Sequence, residues 1–171
     1  MSLRTIMIFP HFDNVELIDQ IRNKYDPLAN LVRPHITIVF SFESSMSNEE
    51  LSQILEVRLQ AIRPFFLELG GVSKHEDDFG NYLFLDVIKG AEEIKGIHRI
   101  LYENEFKEYD LGYPYIPHMT IGKLPTPKLL ASAYDDVKGE KSHFATMVCK
   151  ISVEMIGDGD ESIIVVEKEL R

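Results

Sequence analysis

At 171 residues the chain can bury a sizeable core in one or two small domains, and 44% hydrophobic with 27% charged residues is the balance of an ordinary soluble globular protein. A net charge of −10, with no Lys/Arg cluster, argues against a protein that grips a long nucleic-acid tract; it leaves a small substrate, or one end of a strand. Cys149 is the single cysteine, so no intrachain disulfide can form and a reducing, cytoplasmic compartment is expected. It lies in a strand-like run, where a buried, inert thiol is the expectation. The first apolar run is too short for a signal peptide, and none approaches the length that spans a membrane.

In chain order, Thr5 to Phe9 reads as a strand ended by Pro10. Asp13 then has the form of an N-cap, with Glu16 three residues on and Leu17, Ile21 and Tyr25 as the apolar stripe of a helix that Pro27 stops. A strand over His35 to Phe42 follows a loop containing Arg33 and Pro34. Ser47-x-x-Glu50 is a capping box opening a helix with Leu51, Ile54, Leu55, Leu59 and Ile62 on one side, closed by Pro64. Strands over Phe65 to Val72 and Asn81 to Ile88 form an expected hairpin, joined loosely through the acidic loop Lys74 to Asp78. A helix over Ala91 to Lys107 carries Ile94, Ile97, His98 and Leu101 inward, with His98 read as a packing residue. A loop with two prolines leads to a strand over Tyr115 to Lys123. Thr126-Pro127 is an N-cap and first helical residue for a helix to Val137. Strands over Ala145 to Ile156 and Ser162 to Leu170, around the turn Gly157-Asp158-Gly159-Asp160, complete the chain.

The informative repeat is Pro34-His35-Ile36-Thr37-Ile38, which returns as Pro117-His118-Met119-Thr120-Ile121. At about one in twenty per residue, a second P-H-x-T-I by chance is on the order of one in a thousand. Alternate side chains of a strand share a face, so His35, Thr37 and Val39 are expected on one side and Ile36, Ile38 and Phe40 on the other. His118 and Thr120 likewise share a face, with Lys123 on the opposite parity. Each histidine starts roughly 6–7 Å from its threonine along the strand, within reach of one phosphate. The order strand, helix, motif strand, helix, strand occurs at about 5–72 and again at about 82–156, with no linker between. One domain of two similar lobes is expected, each lending a motif strand to a shared groove.

These motifs, with Leu67-Glu68-Leu69-Gly70-Gly71-Val72, the Tyr82 to Val87 strand, the Ile97-His98-x-x-Leu101 helix and Tyr115-x-Pro117-His118-Met119-Thr120-Ile121-Gly122-Lys123, resemble the 2H phosphoesterases. Within that family the chain looks most like the bacterial 2′-5′ RNA ligase and RNA 2′,3′-cyclic phosphodiesterase branch. The resemblance implies a bilobal α+β fold, two pseudo-symmetric lobes of antiparallel sheet with flanking helices around a central groove. It implies no metal and no cofactor, and it places His35, Thr37, His118 and Thr120 in the site.

Two histidines are what phosphodiester cleavage requires, one as base and one as acid, and the threonine hydroxyls are donors for the phosphoryl oxygens as charge builds. Arg33 and Lys123 flank the motifs as candidate cations, with solvated surface as the equal alternative. Tyr115, Phe40 and Phe42 are candidate base-stacking residues, with core packing as the more common role of strand aromatics. His11, His75 and His143 read as surface or loop residues. H-x-T supplies no third ligand for a metal. The leading expectation is therefore a metal-independent enzyme acting on cyclic phosphodiesters of nucleotides or RNA ends, working as a monomer. A non-catalytic nucleotide-binding module and a 2′-5′ RNA ligase stand as alternatives.

Overall fold

The P-H-x-T-I repeat is reflected in the architecture, but the two halves trade strands. The computed structural model describes residues 2–171. In order, it contains β1 (Ser2–Ile8), α1 (Val15–Tyr25), β2 (Ile36–Ser44), α2 (Asn48–Arg58), β3 (Phe65–Asp77) and β4 (Gly80–Lys89). Then come α3 (Ala91–Tyr102), a 3-10 turn (Lys107–Tyr109), β5 (His118–Leu124), α4 (Pro127–Val137), β6 (Phe144–Val148), β7 (Lys150–Ile156) and β8 (Ser162–Glu169). One sheet has the order β2-β1-β7-β8 and the other β5-β4-β3-β6, all pairs antiparallel. The fold is α+β with two lobes, as expected. Each repeat, however, gives its last strand to the other's sheet: β3 pairs with β4, and β7 pairs with β1.

Each motif strand forms an edge, and the two edges meet across the groove. The helices cross over too: α1 packs on β5 and α3 on β2. Gly122 permits the first approach, because a Cβ there would sit 3.0 Å from Cβ of Tyr25 and 3.2 Å from the Leu83 side chain. Ile36, Ile38, Leu83, Leu85, Ile94, Ile97, Leu101, Met119 and Ile121 are all buried, so the apolar alternation of both motif strands faces one continuous core. At about 1.5–3 kcal/mol for each large apolar side chain buried, that core holds the two sheets in place. No helix of the described residues is long and apolar enough to cross a membrane.

Several boundaries differ from the sequence expectations. The first helix is capped at Asn14, not Asp13, and without a side-chain cap; the Asn14 amide nitrogen donates to the carbonyl of His143 at 3.1 Å. Its buried residues are Ile18, Ile21 and Arg22. The Ser47 capping box is present in full, with Glu50 N–H donating to Oγ at 3.1 Å and Ser47 N–H donating to the Glu50 carboxylate at 2.7 Å. Thr126 likewise caps α4 with Pro127 at its start. The third helix stops at Tyr102, not Lys107, where the Asn104 amide donates to the carbonyl of Ile100 and Phe106 folds into the core.

The acidic stretch Lys74 to Asp77 is strand rather than loose loop. Asp77 closes a tight turn by accepting from the N–H groups of Phe79 and Gly80. The single strand expected over Ala145 to Ile156 is two, β6 and β7, in different sheets. Cys149 lies at that crossover and is exposed, not buried, because the chain leaves one sheet there to enter the other.

Candidate functional site

Both histidines stand at the start of their strands. His35 comes just before β2 and His118 opens β5, so neither strand begins as early as the apolar run suggests. Pro34 and Pro117 precede them. A proline has no N–H to enter a ladder, and it pushes the residue before it into extended backbone. The result is the same in both copies. His35 Nδ1–H donates to the carbonyl of Arg33 at 2.8 Å, and His118 Nδ1–H donates to the carbonyl of Ile116 at 2.7 Å. A carbonyl only accepts, so each neutral ring carries its proton on Nδ1 and its lone pair on Nε2.

Burial of the rings pushes both imidazoles below the usual histidine value, against the carbonyl bonds, which favour the charged form. Arg22 and His118 push His35 further down, while Asp26 opposes them. For His118, the neighbouring His75 lowers it and Asp86 and Asp77 raise it. His35 therefore senses the charge of His118.

Three bulges correct the expected parity. On β2, Met7 pairs with Thr37 and Ile6 with Val39, so Ile38 is an extra residue; a second extra residue follows before Phe42 pairs with Arg4. Val39 consequently joins Ile38 in the core and Phe40 turns outward, the reverse of a strict alternation. On β5, Ile121 is extra between Thr120, opposite Phe84, and Gly122, opposite Leu83. Lys123 thereby shifts onto the face of His118 and Thr120, opposite Tyr82, with its Nζ 5.4 Å from the Tyr82 ring.

That face carries groups the sequence reading left out. The His118 ring stacks on Phe84 at 3.7 Å, and Phe84 stacks on His75 at 5.3 Å. His75 is therefore a strand residue facing the groove side, with Nε2 3.2 Å from Asp77, and not a loop residue. Asp86, opposite His118, accepts from the Ser73 hydroxyl at 2.7 Å. The alternation Tyr82, Phe84, Asp86 was the available signal for this wall.

On the His35 side, Arg33 is exposed and its guanidinium lies over the Phe9 ring, 4.8 Å from the centroid, with Phe9 6.0 Å from the imidazole of His35. The buried cation is Arg22. It donates to Asp26 at 2.8 Å and to the carbonyls of Val32 and Leu28, holding the loop that ends at His35. Its i, i+4 spacing to Asp26 was the sequence signal.

The three candidate stacking aromatics separate. Phe42 is core, packed on Phe106 and Tyr109. Phe40 is 42% exposed, at the groove side of β2. Tyr115 is committed elsewhere: its hydroxyl donates to the carbonyl of Thr37 at 2.7 Å, and one ring face is covered by His98. His98 is thus more than a packing residue, and His143 is paired with Glu68 at 2.7 Å. Among the described residues no group of three or more His, Cys, Asp or Glu side chains could hold a metal ion.

The family model described as the 2′-5′ RNA ligase superfamily matches residues 9–160. A protein named "Putative phosphoesterase OB1230" from Oceanobacillus iheyensis is 28% identical over 121 residues, 69% of this chain and 68% of that one. A similarly named protein of Bacillus mycoides is 31% identical over 121 residues, 69% of this chain and 67% of its own length. Among solved structures, E. coli LigT complexed with 3′-AMP aligns with a TM-score of 0.63 at 13% identity, over 99% of this chain and 98% of LigT. Usb1 of Kluyveromyces marxianus with uridine monophosphate aligns with a TM-score of 0.56 at 14% identity, over 96% and 97%. At such identities these likenesses speak for the fold, while the family match covers most of the sequence, both motifs included. The chain belongs to the 2′-5′ RNA ligase superfamily, the 2H phosphoesterases.

Proposed function

We propose that this chain hydrolyses cyclic phosphodiesters, of the 2′,3′-cyclic nucleotide or RNA-end type, with His35 and His118 as the acid–base pair and no metal or cofactor. The observation that carries the reading is the matched pair of Nδ1–carbonyl bonds. They leave two like-oriented imidazoles, each with Nε2 available, on strands that meet edge to edge. One neutral Nε2 takes a proton from water as the water oxygen bonds to phosphorus. The other, protonated, gives its proton to the departing ribose oxygen as the P–O bond breaks, leaving a phosphomonoester and a free hydroxyl. The Thr37 and Thr120 hydroxyls donate to the non-bridging oxygens, which gain charge in the transition state.

The anionic substrate brings a charge that the pair of imidazoles can respond to. Its negative charge between two imidazoles of depressed pKa favours one proton on the pair. Lys123, moved onto the His118 face by the bulge, adds positive charge there. The acidic hairpin end, Glu76 to Asp78, repels a long backbone, which supports a terminal or mononucleotide substrate. Two of the similar solved structures hold mononucleotides, 3′-AMP in LigT and uridine monophosphate in Usb1.

The test is turnover of 2′,3′-cyclic nucleotides and of RNA oligomers with 2′,3′-cyclic ends, in EDTA. Retained turnover is expected. Activity that requires an added divalent ion overturns the metal-independent reading. Tight nucleotide binding without turnover makes the chain a binding module, and joining of ends in place of hydrolysis makes it a ligase.

A further inference from the structure

As an edge strand with two bulges, β2 presents backbone groups that β1 does not pair. Unpaired edge groups need partners. Three side chains of the other half supply them. The Tyr115 hydroxyl donates to the carbonyl of Thr37 at 2.7 Å, His98 Nδ1–H donates to the carbonyl of Ile38 at 2.8 Å, and the N–H of Phe40 donates to the Tyr102 hydroxyl at 3.1 Å. The His98 ring lies against both tyrosines, 3.7 Å and 4° from parallel with Tyr115 and 4.4 Å from Tyr102.

Tyr115 stands three residues before His118, and the Ile116 carbonyl between them is the group that orients the His118 ring. The far end of the Tyr115 bond is the backbone of Thr37, two residues after His35. One hydrogen bond thus spans both motifs. The loop before His35 has no such link across the groove through its own clamp: Arg22 ties it to carbonyls of its own half. Burial also drives the Tyr115 phenol far above its ordinary pKa, so it remains a donor throughout the working range.

We propose that Tyr115 is a positioning residue: with His98 flat against its ring, it ties the segment that delivers His118 to the backbone of Thr37 and so sets the separation of the two histidines. This rests on the phosphoesterase reading above. Two groups that must act on one phosphorus tolerate little play, since a misplacement of about 1 Å costs up to about a hundred-fold in rate.

The experiment compares wild type with Tyr115→Phe, which keeps the stacked ring and removes the donor. With 2′,3′-cyclic AMP, kcat is expected to fall roughly ten- to a hundred-fold. KM should stay within about two-fold and both limbs of the pH profile should be unmoved, because Tyr115 exchanges no proton with substrate. Imidazole ¹H–¹⁵N spectra of Tyr115→Phe should show both the His35 and the His118 rings displaced. Wild-type kcat, or spectral changes confined to His98 with both motif rings unmoved, overturns the proposal. Where Tyr115→Phe does not fold, His98→Ala removes the ring that lies flat on Tyr115; it should show a smaller fall in kcat at constant KM with both motif rings displaced, and wild-type kcat with unmoved motif rings there overturns the proposal. If the wild type turns over no cyclic phosphate, the phosphoesterase reading fails and the spectra alone decide the positioning role.

Discussion

Phe84 lies flat against His118, with ring centroids 3.7 Å apart and planes 24° from parallel. The two residues are diagonal neighbours across β4 and β5, because Phe84 is opposite Thr120 and Asp86 is opposite His118. An aromatic face excludes water from one side of the imidazole and fixes its plane. In the other lobe Met7 is opposite Thr37, so the two halves of the site are alike in backbone but not in their walls.

Phe84→Leu should therefore raise the pKa of His118 toward the ordinary histidine value, since burial is the main cause of its depression. His35 should move much less. An NMR titration of the two imidazoles checks this, and an unchanged His118 curve would count against the role given to Phe84.

His35→Ala and His118→Ala should each lower kcat by roughly two or more powers of ten, the usual worth of a general acid or base. The double variant should be little worse than the worse single one, because the two act as a unit. Thr37→Val and Thr120→Val should cost less, each removing one donor. Wild-type turnover in both alanine variants would remove these residues from the mechanism.

The profile of kcat/KM against pH should be bell-shaped and lie on the acid side of neutrality. Both imidazoles of the free protein sit below 6.5, and activity needs one of them charged, so it should fall as pH rises past the upper value. The limbs belong to the pair. Stability should move oppositely: between the depressed folded values and the unfolded value of about 6.5, the unfolded chain binds more protons, so folding is favoured as pH rises and that contribution is lost as pH falls. A profile centred above neutrality would contradict the assignment.

Arg22→Met should be strongly destabilising. The guanidinium and its partner Asp26 are 1% and 6% exposed, and removal of one member of such a pair leaves the other charge buried, at about 3–5 kcal/mol. Asp26 and the loop to His35 would lose their anchor together. Denaturant unfolding measures the loss, and a change below about 1 kcal/mol would show that the pair is solvated in solution.

Ser47→Ala should cost about 1 kcal/mol through the lost capping box, without affecting turnover, since α2 packs on β8, away from both motif strands. Equal kcat with a small fall in melting temperature is the expected result.

Local rules were legible along the chain. The capping box at Ser47, the Thr126-Pro127 helix start and the repeated P-H-x-T-I each depend on residues within a few positions of one another, and each is present in the fold. The α+β class follows from the same patterning, as does the meeting of two motif strands. What the chain could not declare is non-local. A bulge moves a residue between faces according to how one strand pairs with another, so Lys123, Val39 and Phe40 changed sides only when β5 met β4 and β2 met β1. The exchange of β3 and β7 between halves exposed Cys149 at the crossover. Phe84, His98 and Tyr115 took their roles from partners distant in sequence, whereas Arg22 took its own from residues within ten positions of it. Side-chain chemistry and local spacing are written in the sequence; which backbone edge needs a donor, and which ring faces which imidazole, is decided when the sheets assemble.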